Sequence, residues 1–199
     1  MVGVKVLVEG AHEKVDGKLK IGSSVTLIKS DKNIVVDTGS FLDRETIINE
    51  LKNEGLEPEE IDIVVLTHTH LDHMVNTYLF TNAKVYCKFR GGNYPGQYHM
   101  PKDGCLERAE IKDGVKIAED VEFILTPGHT EDMISVVART IDGVVVIAGD
   151  AISSEEWTDM NKLPELVYDM DLFNQSRKKI LEIADCIVPG HGKLFNVKK

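Results

Sequence analysis

Three of the chain's seven histidines lie within six residues, in the sequence THTHLDHMVN. His68 and His70 are two positions apart, so in an extended backbone their side chains point to the same side and can bind one ion. A turn at Leu71 and Asp72 redirects His73, and the adjacent Asp72 and His73 cannot easily join the same face. The spacing therefore indicates two neighbouring metal ions rather than one crowded ion.

Three further residues with metal-binding side chains follow short apolar segments later in the chain. His129 and His191 each complete a Pro-Gly-His turn, in TPGH and VPGH, and Asp150 closes the segment VVVIAGD. Glycine permits the tight turn that delivers each imidazole from the end of a strand. The carboxylate of Asp150 can bridge two ions. Imidazoles with a few carboxylates are the ligand set expected for zinc, and they also bind iron.

The elements that must position these residues are apolar strands with polar ends. Five of the apolar segments end in ligand-type residues: Asp37, His68, His129, Asp150 and His191. Because strand ends lie along one rim of a sheet, residues that are far apart in the sequence can meet there. We therefore expect the site on that rim.

Strand and helix patterns alternate in both halves of the chain. SSVTLIKS and NIVVDTG flank a turn at DKN, which predicts a hairpin. Amphipathic spacing that ends at Gly55 predicts a helix in FLDRETIINELKNEG (41–55). Two further helices are predicted in DHMVNTYLF (72–80) and SRKKILEIA (176–184). Further strands are predicted in VKVLVEG, IDIVVLTH, VEFILTPGH, ISVVART, VVVIAGD and CIVPGHG. This mixture predicts an α/β protein whose sheets are covered by helices.

Length and composition are typical of one globular domain. The chain has 199 residues, of which 42% are hydrophobic and 28% charged, so we expect a single domain over residues 1–199. The beginning, MVGVKVLVEG, lacks the features of a signal peptide. The longest apolar runs are far shorter than the ~20 residues that cross a bilayer. These features predict a soluble, cytoplasmic protein without membrane contact.

The three cysteines, Cys87, Cys105 and Cys186, are widely spaced and form no CxxC pair. A disulfide framework is not expected from an odd number at such spacing, and a reducing compartment fits better. Cys186 lies in the apolar stretch ADCIVPG and is interpreted as a small core residue. We expect no catalytic role for any of the three.

The net charge of −10 makes some classes of binding partner less expected than others. Nucleic-acid binding depends largely on Lys and Arg that neutralise phosphates, so acidity disfavours a nucleic acid without excluding it. The acidity is also local, because residues 153–171 carry six carboxylates and a single lysine, Lys162. A small-molecule substrate is therefore the favoured partner.

The motifs HTHLDH, TPGHT, AGD and PGHG, in that order, resemble the metallo-β-lactamase superfamily of metallohydrolases. The resemblance covers nearly the whole chain, from VVDTG (35–39) to PGHG. It implies a four-layer αββα sandwich, in which two central sheets are flanked by helices and the metal site lies on the rim between them. Small stand-alone members of the superfamily look most similar, especially in SRKKILEIADCIVPGHGKLFNV.

The resemblance also implies a role for each ligand position. The implied ligands of the first ion are His68, His70 and His129. The implied ligands of the second ion are Asp72, His73 and His191, with Asp150 bridging the two ions. Asp37 matches an aspartate that supports the metal-site loop from outside the ligand set. We expect two zinc ions per chain, with iron or manganese as alternatives.

Two divalent ions at such a site predict metal-assisted hydrolysis. A water held by both ions becomes a bridging hydroxide nucleophile near neutral pH, and the ions polarise the carbonyl or phosphoryl oxygen under attack. Asp72 can orient that hydroxide, which makes it the candidate catalytic side chain. The expected substrate is an ester, a thioester, a lactone or a phosphodiester.

Several branches of the superfamily are disfavoured. Many zinc β-lactamases have a cysteine in the second-metal shell, whereas this chain has Asp150 in the bridging position. His70 replaces the glutamate of the flavodiiron oxygen reductases, and their flavin domain is not expected here. The chain stops eight residues after His191, so we do not expect the C-terminal grip of glyoxalase II. About 200 residues leave little room for the inserted arm of long-form nucleases.

Three other functions stay open. A mononuclear iron sulfur dioxygenase that acts on a persulfide shares HxHxDH and TPGHT, and would hold its iron in the first set of ligands. A small RNA-cleaving nuclease is the second alternative. A non-catalytic binding domain is the third, and it is disfavoured because every ligand position is filled.

Two segments are candidates for contact with a substrate. Residues 87–105 are interpreted either as a surface loop or as a flap in which Arg90 contacts an anion. The other polar and aromatic residues of this segment are Tyr94, Tyr98 and His99. Residues 151–173 follow Asp150 directly and form either a lid or the contact of a homodimer. Our hypothesis is that Trp157 covers the metal rim.

Overall fold

The computed structural model describes residues 1–88, 90–93, 111–164 and 167–198. Its α-helices are α1 (Arg44–Asn53), α2 (Leu71–Met74) and α3 (Met170–Ile183). Its strands are β1 (Gly3–Val8), β2 (Ala11–Val15), β3 (Lys18–Gly22), β4 (Val25–Lys29), β5 (Asn33–Val36), β6 (Ile63–Val65), β7 (Lys84–Cys87), β8 (Arg90–Asn93), β9 (Lys116–Ala118), β10 (Val121–Leu125), β11 (Ile134–Thr140), β12 (Gly143–Gly149), β13 (Cys186–Pro189) and β14 (Phe195–Asn196). Short 3₁₀ turns occupy Pro58–Glu60, Thr77–Leu79, Asp150–Ile152 and Glu155–Thr158.

The strands form two six-stranded sheets and one two-stranded hairpin. The first sheet has the order β1-β4-β5-β6-β7-β8 and the second has the order β14-β13-β12-β11-β10-β9, while β2 pairs with β3. Strands β5, β6 and β7 run parallel in the first sheet, as β12 and β13 do in the second. Strands β4 and β5 pair antiparallel with Lys29 opposite Asn33, which confirms the hairpin predicted at DKN.

The core lies in three layers, one between the sheets and one on the outer face of each sheet. In β5, Ile34 and Val36 face the central layer, whereas Val35 faces the opposite side and packs in the same cluster as Ile47 of α1. On the outer face of the second sheet, the apolar residues pack with Ile180 of α3. Because both faces of each sheet are covered, the strands are continuous apolar runs. This is the predicted four-layer αββα sandwich.

The first predicted helix is present but shorter than expected. It begins at Arg44 rather than at Phe41, and Phe41 and Leu42 are 71% and 83% exposed. Within α1, Ile47 and Leu51 are fully buried, as the amphipathic pattern requires. The apolar residues at 41 and 42 therefore do not belong to the buried face of this helix.

The second predicted helix is wrong as a continuous element. Residues 72–80 contain only the end of the single turn α2 and the 3₁₀ turn that follows it. The Asn76 side chain between them donates hydrogen bonds to the carbonyl oxygens of Thr38 and Ser40, at 2.8 and 2.7 Å. These bonds tie the segment to the loop after β5, because a short polar side chain competes well with helical backbone bonds.

The third predicted helix begins earlier than expected. Helix α3 starts at Met170, where the side chain of Asp169 accepts a hydrogen bond from the backbone N–H of Leu172. This cap satisfies an N–H that has no partner within the helix. The segment 151–173, interpreted above as a lid or a homodimer contact, therefore contains the first turn of α3.

The hairpin of β2 and β3 was not predicted. Val15 pairs with Lys18, and the connecting Asp16 and Gly17 have φ values of 49° and 73°. Two successive residues with positive φ are typical of a type I′ turn, for which Asp-Gly is a strong signal. That signal is present in the sequence, but the flanking strands AHEKV and KLKIG carry so many charged residues that they lack the pattern of a buried strand.

The two described cysteines lie in different layers of the core. Cys186 is half-buried against the layer between the sheets, and its Sγ lies 3.0 Å from Oδ1 of Asn196. Cys87 is buried on the outer face of the first sheet. Cys105 lies outside the described residues.

Among the described helices, none combines the length and the apolar composition needed to cross a membrane.

Candidate metal centre

The strand ends of both sheets meet on one rim, as expected. Asp37 follows β5, His68 follows β6, and α2 carries Asp72 and His73. From the second sheet, the turn after β10 supplies His129, the end of β12 supplies Asp150 and the turn after β13 supplies His191. The structure brings the seven predicted ligand residues together there in two adjacent groups.

The first group contains His68, His70, His129 and Asp150, whose ligand atoms all lie within 4.8 Å of one another. His70 Nδ1 is 2.9 Å from His68 Nε2 and 3.2 Å from His129 Nε2. His129 Nε2 lies 3.4 Å from Asp150 Oδ2. Three imidazole nitrogens and one carboxylate oxygen therefore lie close enough together to bind a single metal ion, and these are ligand types that zinc takes.

The second group contains Asp72, His73 and His191. Asp72 Oδ2 lies 3.8 Å from His73 Nε2 and 3.6 Å from His191 Nε2. The other oxygen of Asp150, Oδ1, lies 3.5 Å from His73 Nε2 and 3.3 Å from His191 Nε2. Asp150 thus presents one oxygen to each group, which is the arrangement expected of a bridging carboxylate.

Asp37 orients an imidazole of each group. Its Oδ2 accepts hydrogen bonds from His73 Nδ1 and from the hydroxyl of Thr67, both at 2.8 Å. Because the Thr67 hydroxyl donates to Asp37, it accepts from His68 Nδ1 at 3.1 Å. Protons on these outer nitrogens leave the Nε2 lone pairs of His68 and His73 directed inward, as metal binding requires.

Asp37 also has unusual backbone geometry, with φ of 57°. Aspartate adopts this left-handed conformation more readily than most residues. The turn lets the carboxylate reach back to the backbone N–H of Thr67, which donates to Oδ1 at 2.8 Å. The support of the metal-site loop that the resemblance implied for Asp37 therefore has a direct structural basis.

The two Pro-Gly-His turns need glycine for different reasons. Gly128 has φ of 139°, and a Cβ there would also collide with the backbone of Phe173 in α3. Gly190 has no such φ, but a Cβ there would collide with the carboxylate of Asp150. The first glycine is needed both for its conformation and for the space beside Phe173, and the second only for the space that it leaves beside Asp150.

The start of α3 supports the turn that carries His129. The backbone N–H groups of Tyr168 and Asp169 donate to the carbonyl oxygens of His129 and Gly128, at 3.2 and 3.0 Å. The Ser176 hydroxyl donates to the carbonyl of Pro127 at 2.7 Å. Residues 168–176 are therefore a scaffold for the first group.

Trp157 packs on the helix side of the second sheet, with Ile152 and Ile180 in its cluster. Its carbonyl oxygen accepts a hydrogen bond from the buried guanidinium of Arg177 at 3.1 Å. This position does not favour the hypothesis that Trp157 covers the metal rim.

In the other candidate segment, residues 87–105, Arg90 begins β8. Tyr94, Tyr98 and His99 lie outside the described residues.

Two imidazoles of the first group, those of His68 and His129, disfavour protonation. Burial, and then the charge of His73, hold the pKa of His68 well below its usual value. Burial likewise lowers the pKa of His129, and this exceeds the opposing effect of Asp150. Neutral imidazole is the form that binds a metal.

The second group favours protonation instead. Burial acts to lower the pKa of His73, but Asp37 and Asp150 outweigh it and raise that pKa to about 10. Burial also opposes the shift at His191, whose pKa is raised by its contact with Asp150. Burial alone would raise the pKa of Asp150, yet His73 and His191 hold it well below its usual value. The carboxylate of Asp150 thus interacts strongly with positive charge on His73 and His191.

Two buried polar atoms at the rim have no hydrogen-bond partner among the described residues. They are Nε2 of His73 and Oδ1 of Asp150, which lie 3.5 Å apart at the second group. Leaving such atoms unpaired costs about 1–3 kcal/mol each. Divalent ions bound by both groups would satisfy these atoms, so the residues present fit such ions.

Sequence reasoning missed two residues beside this centre. One is Thr67, the link between Asp37 and His68. The other is His12 in β2, whose ring centroid lies 5.8 Å from that of His191. Its sequence neighbours form no ligand motif, so the only signal was the Asp-Gly turn that predicts its hairpin.

Comparison with known proteins identifies relatives across most of the chain. A model of the metallo-β-lactamase superfamily matches residues 20–191. Metallo-β-lactamase domain-containing protein 1 of Xenopus laevis is 36% identical, over 98% of this chain and 82% of that protein. The human protein of the same name is 35% identical, but the match covers 82% of this chain and 59% of that protein. A Methanocaldococcus jannaschii protein named a probable metallo-hydrolase is 33% identical, over 94% of this chain and 86% of that protein.

Solved structures share the fold at lower identity. A Thermotoga maritima protein assigned as a metallo-β-lactamase superposes with a TM-score of 0.69 at 24% identity, over 98% of this chain and 99% of that one. An N-acyl homoserine lactone hydrolase, with its product N-hexanoyl-L-homoserine bound at the catalytic metal centre, superposes with a TM-score of 0.63 at 19% identity. That match covers 96% of this chain and 92% of the other.

Proposed function

The chain belongs to the metallo-β-lactamase superfamily and is a metal-dependent hydrolase, and we propose that it works with two zinc ions on an ester-like bond of a small molecule. His68, His70 and His129 hold one ion, and Asp72, His73 and His191 hold the other. The observation that carries this proposal is the position of Asp150, whose two oxygens face the two groups separately. A single ion would leave one of those oxygens without a partner.

The ions would supply Lewis-acid activation of the carbonyl or phosphoryl group and of the attacking water. The chain's own residues prepare the site for this chemistry. Asp37 and Thr67 fix the inward lone pairs of His68 and His73, and the burial of both imidazoles excludes bulk water from their side of the rim.

Asp72 is the candidate catalytic residue. Its side chain is 23% exposed, whereas the neighbouring His73 is completely buried. The carboxylate therefore lies at the open side of the rim, where it can accept a hydrogen bond from the attacking water and take its proton. A carboxylate that both holds a site together and directs the nucleophile needs this partial exposure.

A small ester, thioester or lactone is the substrate class that we propose. The net charge of −10 disfavours a long polyanion, which places an RNA-cleaving nuclease second. A fold relative binds the product of a lactone at its metal centre, and that supports a lactone as the first compound to assay. We also propose a cytoplasmic location, because an odd number of widely spaced cysteines suits a reducing compartment. The homodimer stays a prediction that the molar mass in solution tests.

Elemental analysis of protein purified without added metal, followed by a substrate screen, tests the proposal. We expect two zinc ions per chain and hydrolysis of at least one compound among an acyl lactone, a thioester, a 4-nitrophenyl ester and bis(4-nitrophenyl) phosphate. One iron per chain, with oxygen consumption on a persulfide, would instead establish the dioxygenase.

His70→Ala should remove metal from the first group and abolish hydrolysis while the fold is kept, as circular dichroism would show. Thr69→Ala is the matched control, because the Thr69 hydroxyl contacts only Asp132 among the hydrogen bonds of this loop, at 3.3 Å. Full activity in the His70 variant would contradict the proposal.

A further inference from the structure

Two adjacent polar side chains of α3, Ser176 and Arg177, are buried in the fold. Arginine is almost never fully buried without partners, and taking its charge out of water is costly. Yet the exposed fraction of Arg177 is 0%. The groups that accept its hydrogen bonds therefore indicate what this side chain does.

The guanidinium of Arg177 lies against the segment that leads from the second sheet to α3. Its Nη1 donates to the carbonyl oxygens of Trp157 and Asp159, at 3.1 and 3.3 Å. Its Nη2 donates to the side-chain oxygen of Asn174 at 2.5 Å. These acceptors, supplied by the described residues, are all neutral, and the charge of the donor strengthens each bond. Arg177 thus fixes residues 157–159 to the helix.

The segment that Arg177 fixes also holds the turn of the second group. The backbone N–H of His191 donates to the carbonyl oxygen of Ser153 at 2.6 Å. The next carbonyl along the chain, of Ser154, accepts a hydrogen bond from the N–H of Trp157 at 3.0 Å. A continuous set of hydrogen bonds therefore leads from Arg177 to the backbone of His191.

Ser176 makes the corresponding contact with the first group. Its hydroxyl donates to the carbonyl oxygen of Pro127, which lies two residues before His129, at 2.7 Å. The N–H of Gly128 donates to the carbonyl of Thr130 at 3.0 Å and closes that turn. Neighbouring side chains of one helix therefore contact the backbone that positions a histidine of each group.

We propose that Ser176 and Arg177 are positioning residues for the two metal ions: Ser176 keeps His129 in place for the first ion, and Arg177 keeps His191 in place for the second. Because both side chains belong to one helix, α3 also fixes the separation of the two turns. This inference rests on the two-ion site proposed above. General packing by α3 would instead stabilise both turns together.

Stepwise zinc titration of two variants measures each contact separately. Arg177→Met keeps a long side chain without donors, and should weaken the second ion about 10-fold while the first changes little. Ser176→Ala should weaken the first ion about 3- to 10-fold, because one hydrogen bond is lost, and leave the second. Lys178→Ala is the matched control, since Lys178 is the next residue of α3, is exposed and pairs only with Glu182 at 3.9 Å. It should change neither affinity.

Amide hydrogen exchange in the metal-free protein gives a second measurement that needs no ion. Exchange reports the local opening of a hydrogen-bonded segment. Arg177→Met should speed exchange of the His191 N–H but not of the Gly128 N–H, and Ser176→Ala should do the reverse. If Arg177→Met fails to fold, Arg177→Lys, which keeps the charge and some donors, should show the same selectivity with smaller changes.

The inference is overturned if each variant weakens both ions by the same factor, or if neither variant changes exchange at its own turn. Failure of the proposed function looks different. In that case the wild type binds fewer than two zinc ions, while the selective changes in amide exchange at His191 and Gly128 persist in the metal-free variants.

Discussion

Asp150 contacts both groups of the metal rim, but the histidines of the two groups differ in the protonation state that they favour. The first group is rich in imidazole, and burial keeps His68 and His129 free of protons. In the second group, the carboxylates of Asp37 and Asp150 outweigh burial and raise the pKa of His73 to about 10, and Asp150 also raises that of His191. The first group is therefore prepared to receive an ion, whereas the second must exchange protons for one.

Of the substitutions considered, Asp150→Asn should change metal binding the most. Within the described rim, Asp150 is the only residue that contacts both groups through separate oxygens. The neutral side chain keeps the size of the carboxylate but loses its charge. We expect loss of the second ion, weaker binding of the first, and a fall in kcat/KM beyond the about 10- to 100-fold that loss of an outer partner costs.

Metal content and kcat/KM measured on the same preparation check this expectation. Asp142→Asn, in the exposed turn between β11 and β12, is the matched control and should change neither. If Asp150→Asn retained two ions and normal turnover, the two groups would be independent sites.

Asp37→Asn should weaken metal binding at the two groups to different extents, although Asp37 is not itself a proposed ligand. His73 loses a charged acceptor at 2.8 Å, whereas His68 keeps its bond to the Thr67 hydroxyl. We expect about 10- to 100-fold weaker binding of the second ion and a smaller change at the first. Asparagine tolerates the positive φ of this position, so the backbone should be retained.

Stepwise zinc titration, with circular dichroism to verify the fold, measures the two affinities. Equal weakening of both ions would show that Asp37 serves the loop as a whole and does not distinguish the groups.

The pH dependence of metal binding should also differ between the groups. In the metal-free protein at pH 7, His73 is protonated because its pKa is about 10, whereas His68 is neutral because its pKa is lowered. Each proton that the ion displaces from a group below its pKa makes the affinity about tenfold weaker per unit of falling pH. Zinc titrations at pH 6, 7 and 8 should therefore show a steep change for the second ion and a shallow one for the first.

Stability of the metal-free protein gives an independent measure of the same charges. The pKa of His73 is raised from 6.5 to about 10 on folding, so its contribution is fully present below pH 6.5 and is lost as the pH rises through about 10. Denaturant unfolding of the metal-free protein should show lower stability at pH 10 than at pH 7. A flat profile, together with pH-independent binding of the second ion, would remove the electrostatic distinction between the groups.

The residues that meet at the rim were predictable from the sequence, because the binding of a metal would constrain residue type and spacing tightly. His68 and His70 must alternate along an extended strand end, and glycine must precede His129 and His191 where the backbone is crowded. Other features depend on how distant segments dock. Trp157 packs behind the sheet, and His12 reaches the rim only because Gly10 and Gly22 anchor its hairpin there. No local spacing encodes such contacts.

Thr67→Val should have the smallest effect of these substitutions, and it should weaken the binding of the first ion alone. The change removes the hydroxyl that links His68 Nδ1 to Asp37, while the bond from His73 to Asp37 remains. Loss of one hydrogen bond predicts about 3- to 10-fold weaker binding of the first ion, with the second ion little changed. Thr26→Val is a close control, because the Thr26 hydroxyl is also buried but has no hydrogen-bond partner among the described residues. If both variants bound zinc like the wild type, His68 would owe its orientation to packing, and Asp37 would support the second group only.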